Sequence, residues 1–170
     1  LSSMRYWREF QQHNGISNPL TLQPGVRLKI PLAWLKVQPA PVRVLAVLGE
    51  VFVQPAGKEE EDPLLAGALL HIEDAVRSGP KSSATFVFAD GSRLLLSANS
   101  HLMLDVIRAY GETGMVDSRI RLKNGGLDTD VSLQEGSGSR FEIHTPGAIT
   151  AVRGTKLRVA NDAERQIVNT

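Results

Sequence analysis

"SRIRLKNGGLDTDVSL", residues Ser118–Leu133, carries two alternating apolar runs on either side of Asn124-Gly125-Gly126. Two readings fit it. If Asn124-Gly125 is the two-residue loop of a β-hairpin, Leu122 falls opposite Leu127, Arg121 opposite Asp128 and Arg119 opposite Asp130. One face is then apolar and the other salt-bridged. Exposed pairs of this kind add about 0.2–1 kcal/mol each, so they fix register more than stability. If the glycines are instead corners between successive rungs of a solenoid, Arg121 and Asp128 belong to different sheets and do not meet.

Working outward, "SATFVFADGSRLLLS" (Ser83–Ser97) places Asp90-Gly91 between two apolar-rich runs, the composition of a tight hairpin turn. "RFEIHT" and "TKLRV" alternate again, with Phe141, Ile143, Leu157 and Val159 as core candidates. Glycines recur irregularly, very roughly every dozen residues, as in proteins built of many short strands. The fold class read from these patterns is mainly β, a sandwich or solenoid-like domain over residues 42–162 with no strict repeat. Aromatics make up only 5% of the chain, so Val, Leu and Ile must build the core.

The N-terminal stretch has a different texture. "MRYWREFQQH" (Met4–His13) suits a short amphipathic helix, stopped by Asn14-Gly15. Val26, Leu28 and Ile30 alternate with Arg27 and Lys29 and predict a half-buried strand that Pro31 ends. Residues 1–35 thus form a small α+β module, residues 36–41 a proline-rich extended linker, and residues 163–170 a tail or linker to a following region.

The chain has 170 residues, 42% of them hydrophobic and 22% charged, and no apolar run approaches the roughly 18 residues of a membrane span. Its 19 basic and 18 acidic residues leave a net charge of +1, so no global field draws nucleic acid or anionic lipid. Neither nucleic acid nor membrane insertion is expected of this stretch. The absence of cysteine removes disulfides, thiol nucleophiles and Cys-ligated metal sites. Leu1-Ser2-Ser3-Met4 leads straight into helix-like sequence, so an export signal is expected upstream.

Catalytic patterns are weak. His13, His71, His101 and His144 are far apart and lack metal-ligand spacing. Ser92 and Ser100 lie in turns but not in a Gly-x-Ser-x-Gly elbow, and no local cue supplies a base. Glu59-Glu60-Glu61-Asp62 lacks the alternating ligands and turn glycine of a calcium loop. "GSGSR" (Gly136–Arg140) lacks the Lys-Ser/Thr of a phosphate loop. Arg119, Arg121, Lys123 and Arg158 are candidates for a basic strip on one sheet face, against the plainer reading that they pair with Asp128 and Asp130. The expectation is no enzyme, no metal and no cofactor.

Two resemblances cover most of the chain. Asn14, Asn18-Pro19, Leu22, Pro24-Gly25, Leu28, Ile30 and Pro31 resemble the second half of a LysM module; the opening strand and the Gly-Asp-Thr-Leu turn of that family are absent. Gly79, Asp90-Gly91-Ser92, Asn99-Ser100, Leu122-Lys123-Asn124-Gly125, Thr145-Pro146 and Arg153-Gly154-Thr155-Lys156-Leu157-Arg158-Val159 are similar to the pattern of the FecR domain, with Leu157 where phenylalanine is usual.

The first resemblance implies a partial groove for N-acetylglucosamine-containing glycan such as peptidoglycan, walled by Gly15, Ile16, Ser17, Asn18, Pro19 and Leu20. The second implies an extracytoplasmic all-β module of bacterial signal relays, in which Asp90, Gly91, Ser92, Arg153, Gly154 and Thr155 are structural. Together they imply a periplasmic or otherwise extracytoplasmic protein that attaches to peptidoglycan and presents a recognition domain. The alternative is a relay component that senses or transmits receptor state by contact with an envelope protein.

Overall fold

In the computed structural model, residues 6–111, 113–133, 139–162 and 165–169 are described, with backbone only for 162 and 165–169. The chain divides into two units, Leu1–Val37 and Gln38–Thr170. In the first, helix α1 (Trp7–His13) buries Phe10, on which Trp7 stacks at 5.7 Å between ring centroids. Gly15 follows at φ +64°, the left-handed conformation that ends a helix cheaply only at glycine. Asn18 Oδ1 accepts from Leu20 N–H at 3.0 Å and caps the short 3-10 turn Pro19–Thr21.

The strand expected at Val26–Ile30 does not form: these residues join no ladder among the described residues, and Val26, Leu28 and Ile30 are all exposed. Alternation makes a strand only where a neighbour completes the ladder. Here the Asn14 side chain fills that role for one residue, accepting from Lys29 N–H at 2.6 Å and donating to the Lys29 carbonyl at 2.9 Å.

The strands in chain order are β1 (Val37–Pro39), β2 (Val42–Leu48), β3 (Val51–Gln54), β4 (Asp62–Pro63), β5 (Leu69–Leu70), β6 (Ala75–Ser78) and β7 (Ser83–Val87). They continue with β8 (Arg93–Leu96), β9 (His101–Tyr110), β10 (Val116–Asp130), β11 (Arg140–Thr145), β12 (Ala148–Val152), β13 (Lys156–Asp162) and β14 (Arg165–Asn169). The domain is mainly β, as its patterning predicts. Residues 37–39, expected as linker, are the strand β1, and the segment expected as a tail includes β14, antiparallel to β13.

β10 decides the architecture. It runs unbroken through Asn124 and Gly125, so the hairpin reading fails there. Its first half pairs with β9 antiparallel and β11 parallel, and its second half with β8 and β13 antiparallel. One sheet therefore runs β4-β3-β6-β9-β10-β11-β12 and the other β5-β2-β7-β8-β10-β13-β14, with β10 shared. Ile120 and Leu122 from the first, and Leu127 and Val159 from the second, join one buried core with Phe86, Leu94 and Phe141. Arg121 binds Asp105 and Asp128 binds Arg158, so the two residues that a hairpin would pair sit in separate sheets. The Asp90-Gly91 hairpin does form, joining β7 to β8 in antiparallel register.

Crossings between the sheets stack on one another. Chain passes from sheet to sheet at Gly49-Glu50, at Gly79–Ser82, at Ser97–Ser100 and at Asn124–Gly126. Gly79 N–H donates to the Glu50 carbonyl at 2.9 Å, and Asn99 N–H to the Gly79 carbonyl at 3.1 Å. Buried serines complete the bonding. Ser82 Oγ accepts from Glu50 N–H, Ser78 Oγ from Ser100 N–H, and Ser100 Oγ from Gly126 N–H. These are backbone groups that leave their ladders at a corner, and each must find a partner inside the protein.

Candidate interaction surface

Asp90-Gly91-Ser92 and Arg153-Gly154-Thr155 are far apart in sequence and meet around the segment that leaves β10. Ser92 donates from N–H to Asp90 Oδ1 at 2.9 Å and from Oγ to Asp90 Oδ2 at 2.8 Å, closing the turn around Gly91 at φ +83°. Ser92 Oγ then accepts from Ser132 N–H at 3.1 Å, while Val131 N–H donates to the Thr155 carbonyl at 3.1 Å. Gly154, at φ +66°, lies so close that a Cβ there would be 3.2 Å from Leu133 Cα. Arg153 is exposed at this turn. The two candidate nucleophiles are thus tied into structure: Ser92 through Asp90, and Ser100 Oγ within 3.1 Å of the Gly126 carbonyl.

The outer face of β10 carries an ionic ladder. Ser118, Ile120 and Leu122 point into the core, so Asp117, Arg119, Arg121 and Lys123 point out. Asp117 is nonetheless buried, because Arg108 of β9 covers it with Nη2 at 2.8 Å and Arg119 with Nη2 at 3.1 Å. That contact raises the Arg108 pKa above its ordinary value. Glu142 of β11 is shared by Arg119 at 3.7 Å, Arg140 at 3.5 Å and His144 at 3.1 Å. Asp105, the extra residue of a bulge in β9, meets Arg121 at 2.8 Å.

The expected basic strip is therefore divided: Arg119 and Arg121 pair within one sheet, and Arg158 lies on the other with Asp128. Arg121 and Arg158 find their acids across strands whose register no local pattern announces, whereas Arg119 meets Asp117 of its own strand, the functional-looking residue that sequence reasoning missed. The only cue was its place in the Asp117-Arg119-Arg121 alternation.

Replacing Asp117 by Ala should lower unfolding free energy by about 1–3 kcal/mol, measured by urea titration. Removing the buried member of an ion pair ordinarily costs more, but the partner guanidiniums here are 40% and 29% exposed and water screens them.

His101 lies on the same sheet, opposite Arg77 of β6 and Asn124 of β10. Burial, then the positive charge of Lys123, pushes its pKa below 6.5, against a smaller opposite pull from Glu61. Glu61 itself chelates Arg77, which lies over the Phe52 ring at 5.1 Å. A histidine depressed in the folded state protonates more readily when unfolded. Its contribution is intact above pH 6.5 and is lost as pH falls through the folded pKa. Stability should decline as pH falls below 6.5, and His101→Gln should flatten that decline in urea titrations. Glu61, whose pKa is lowered from 4.5 chiefly by the Arg77 hydrogen bond, acts only at lower pH.

Surface depressions occur on both outer faces of the β-domain. One of about 560 Å³ lies beside the β11–β12 turn, between Arg121, Lys123 and His144 and the Pro146–Ile149 stretch. Another of about 480 Å³ is lined by Arg93, Asp128, Asp130, Lys156 and Arg158, in which opposite charges alternate. In the N-terminal unit a hollow of about 440 Å³ is lined by Arg8, Gln11, Gln12, Gly15, Ile16 and Ser17. Of the expected glycan wall, Gly15, Ile16 and Ser17 line this hollow. Asn18, Pro19 and Leu20 form the capped 3-10 turn beyond it, with Leu20 92% exposed.

The family model described as FecR protein matches residues 74–170. The chain belongs to the FecR family. For a FecR chain a signalling-related role follows at that level of description. No curated protein and no solved structure matches it. The FecR match opens at Asp74, whose buried carboxylate accepts from Ala56 N–H at 3.0 Å and His71 N–H at 2.8 Å, both outside the matched span. No helix among the described residues is long and apolar enough to cross a membrane.

Proposed function

We propose that the β-domain is a non-enzymatic recognition element that takes part in signalling by contact with another protein of the cell envelope. The observation that carries this reading is the use made of the family's own signature. Asp90, Ser92, Ser100 and Gly154 hold turns and corners together, which leaves the outer sheet faces as the surface available to a partner. The usual membrane-associated or periplasmic setting of FecR proteins supports an extracytoplasmic location. A photo-crosslinking amino acid placed in turn at exposed positions of both faces, such as Leu95 and Ile149, tests the reading in producing cells. A discrete protein adduct at some positions and not others is expected. Absence of any adduct across both faces, with the protein folded and at native abundance, would overturn it.

A second reading, attachment to peptidoglycan through a LysM-like N-terminal unit, is favoured by the hollow beside Gly15–Ser17. Its polar lining of Arg8, Gln11 and Gln12 suits the hydroxyl and amide groups of a glycan. Co-sedimentation with purified peptidoglycan should fall on Gln11→Ala/Gln12→Ala substitution. Equal sedimentation of the chain with and without residues 1–37 would reject it.

A further inference from the structure

We infer that the free edge of β12, with the basic pocket at the β11–β12 turn, docks an extended acidic peptide segment of a partner protein. The inference rests on the protein-contact reading above and gives it a place and a chemistry. Among the described residues β12 pairs only with β11, so its other edge presents unmatched N–H and C=O groups. Such edges are normally blunted by charge, proline or brevity. β4, at the opposite edge of this sheet, is two residues long and contains Pro63. β12 has none of these protections: Ala148-Ile149-Thr150-Ala151-Val152 is uncharged, lacks proline and leaves Ile149 69% exposed.

Charge selects the occupant. Register places Arg121, His144 and Ile149 in one row across the outer face, ending at the free edge. The pocket beside that row is lined by Arg121, Lys123 and His144 and by no acidic residue. Arg121 is held by Asp105 and His144 by Glu142, but Lys123 has no acidic partner among the described residues. The depression on the other sheet contains its own Asp128 and Asp130, so it offers no comparable attraction for an acid.

A strand added to β12 gains main-chain hydrogen bonds and an apolar contact with Ile149. Where it continues past the Pro146-Gly147 turn into the pocket, a glutamate or aspartate meets Lys123. Backbone bonds supply affinity without much selectivity, and the buried carboxylate supplies the preference for an acidic sequence.

The test is fluorescence anisotropy of the full chain with three labelled ten-residue probes at low salt: alternating valine and glutamate, the same peptide N-methylated along one edge, and its lysine-for-glutamate counterpart. The acidic probe should bind with Kd below about 1 mM. N-methylation should abolish binding, the lysine probe should not bind, and Lys123→Glu should weaken the acidic probe at least about tenfold. Ile149→Lys, at an exposed position, should block the edge with the far-UV spectrum unchanged. Equal binding of the lysine or N-methylated probe, or indifference to Lys123→Glu, overturns the inference.

Salt-reversible self-association lost in Lys123→Glu also overturns it, because the occupant would then be the Glu59–Asp62 loop of a second copy. The two readings fail separately. Cellular adducts at Leu95 without acidic-probe binding sink the β12 site and leave protein contact standing, whereas probe binding without any cellular adduct does the reverse.

Discussion

A fragment limited to residues 74–170, the span of the family match, is expected to be unfolded, whereas residues 38–170 should unfold cooperatively in urea. The difference lies in β2, β3 and the segment between β3 and β6, which carries the short strands β4 and β5. β2 closes the edge of β7 from Arg43 opposite Val87 to Leu48 opposite Ser83, and β3 closes β6 in the same way. Val42, Val44, Val51, Leu64 and Leu70 are at most 3% exposed and belong to the same core as Phe86, Leu94 and Ile120. At about 1.5–3 kcal/mol for each buried side chain, their removal takes away roughly as much as the whole 5–15 kcal/mol stability of a typical domain. It also bares the ladders of β6 and β7 and strips Asp74 of both its backbone donors. Far-UV circular dichroism and a urea titration of the two fragments measure this. A cooperative transition in the shorter one would make β2 and β3 an appendage.

The same comparison shows what local sequence encodes. Asp90-Gly91 was legible as a hairpin because the turn is closed by its own residues: Gly91 at φ +83° and the Asp90 carboxylate on Ser92. Asn124-Gly125 was not, for a physical reason. A two-residue hairpin and a corner between facing sheets both want a glycine at positive φ, and both shift the apolar alternation by one residue between Leu122 and Leu127. Only the partners differ, and the partners of Arg121 and Asp128 lie on β9 and β13. Val26–Ile30 errs in the opposite direction, since its alternation is present but no strand among the described residues pairs with it. Of the candidate surface, Arg121 and Lys123 were readable as members of a basic strip, whereas the free edge of β12 beside them was not. The burial of Asp117 was not, because it depends on β9 and β11 arriving on either side.

The corner at Gly125 should be among the positions least tolerant of substitution. Gly125→Ala is expected to cost at least about 3–5 kcal/mol. Backbone strain is the smaller part: φ is +84°, where an alanine costs about 1–2 kcal/mol. The larger part is collision, since a Cβ would stand 2.2 Å from Ser100 Oγ, 2.5 Å from Ser100 Cα and 2.7 Å from the Asn99 carbonyl.

Ser100 cannot retreat, because Ser78 Oγ holds its N–H while its own Oγ holds Gly126 N–H. Gly57, at φ +72° with nothing within 4 Å of where a Cβ would stand, is the matched control. Gly57→Ala should cost only the strain, about 1–2 kcal/mol. The difference between the two alanine variants, read from urea midpoints at constant slope, measures how closely the corners are stacked. Adding Ser100→Gly to Gly125→Ala should restore little: it removes the hydroxyl but leaves Ser100 Cα and the Asn99 carbonyl in the way. Near-full recovery in that double variant would mean that the side chain alone blocks the position and that the backbones of successive corners are free to separate.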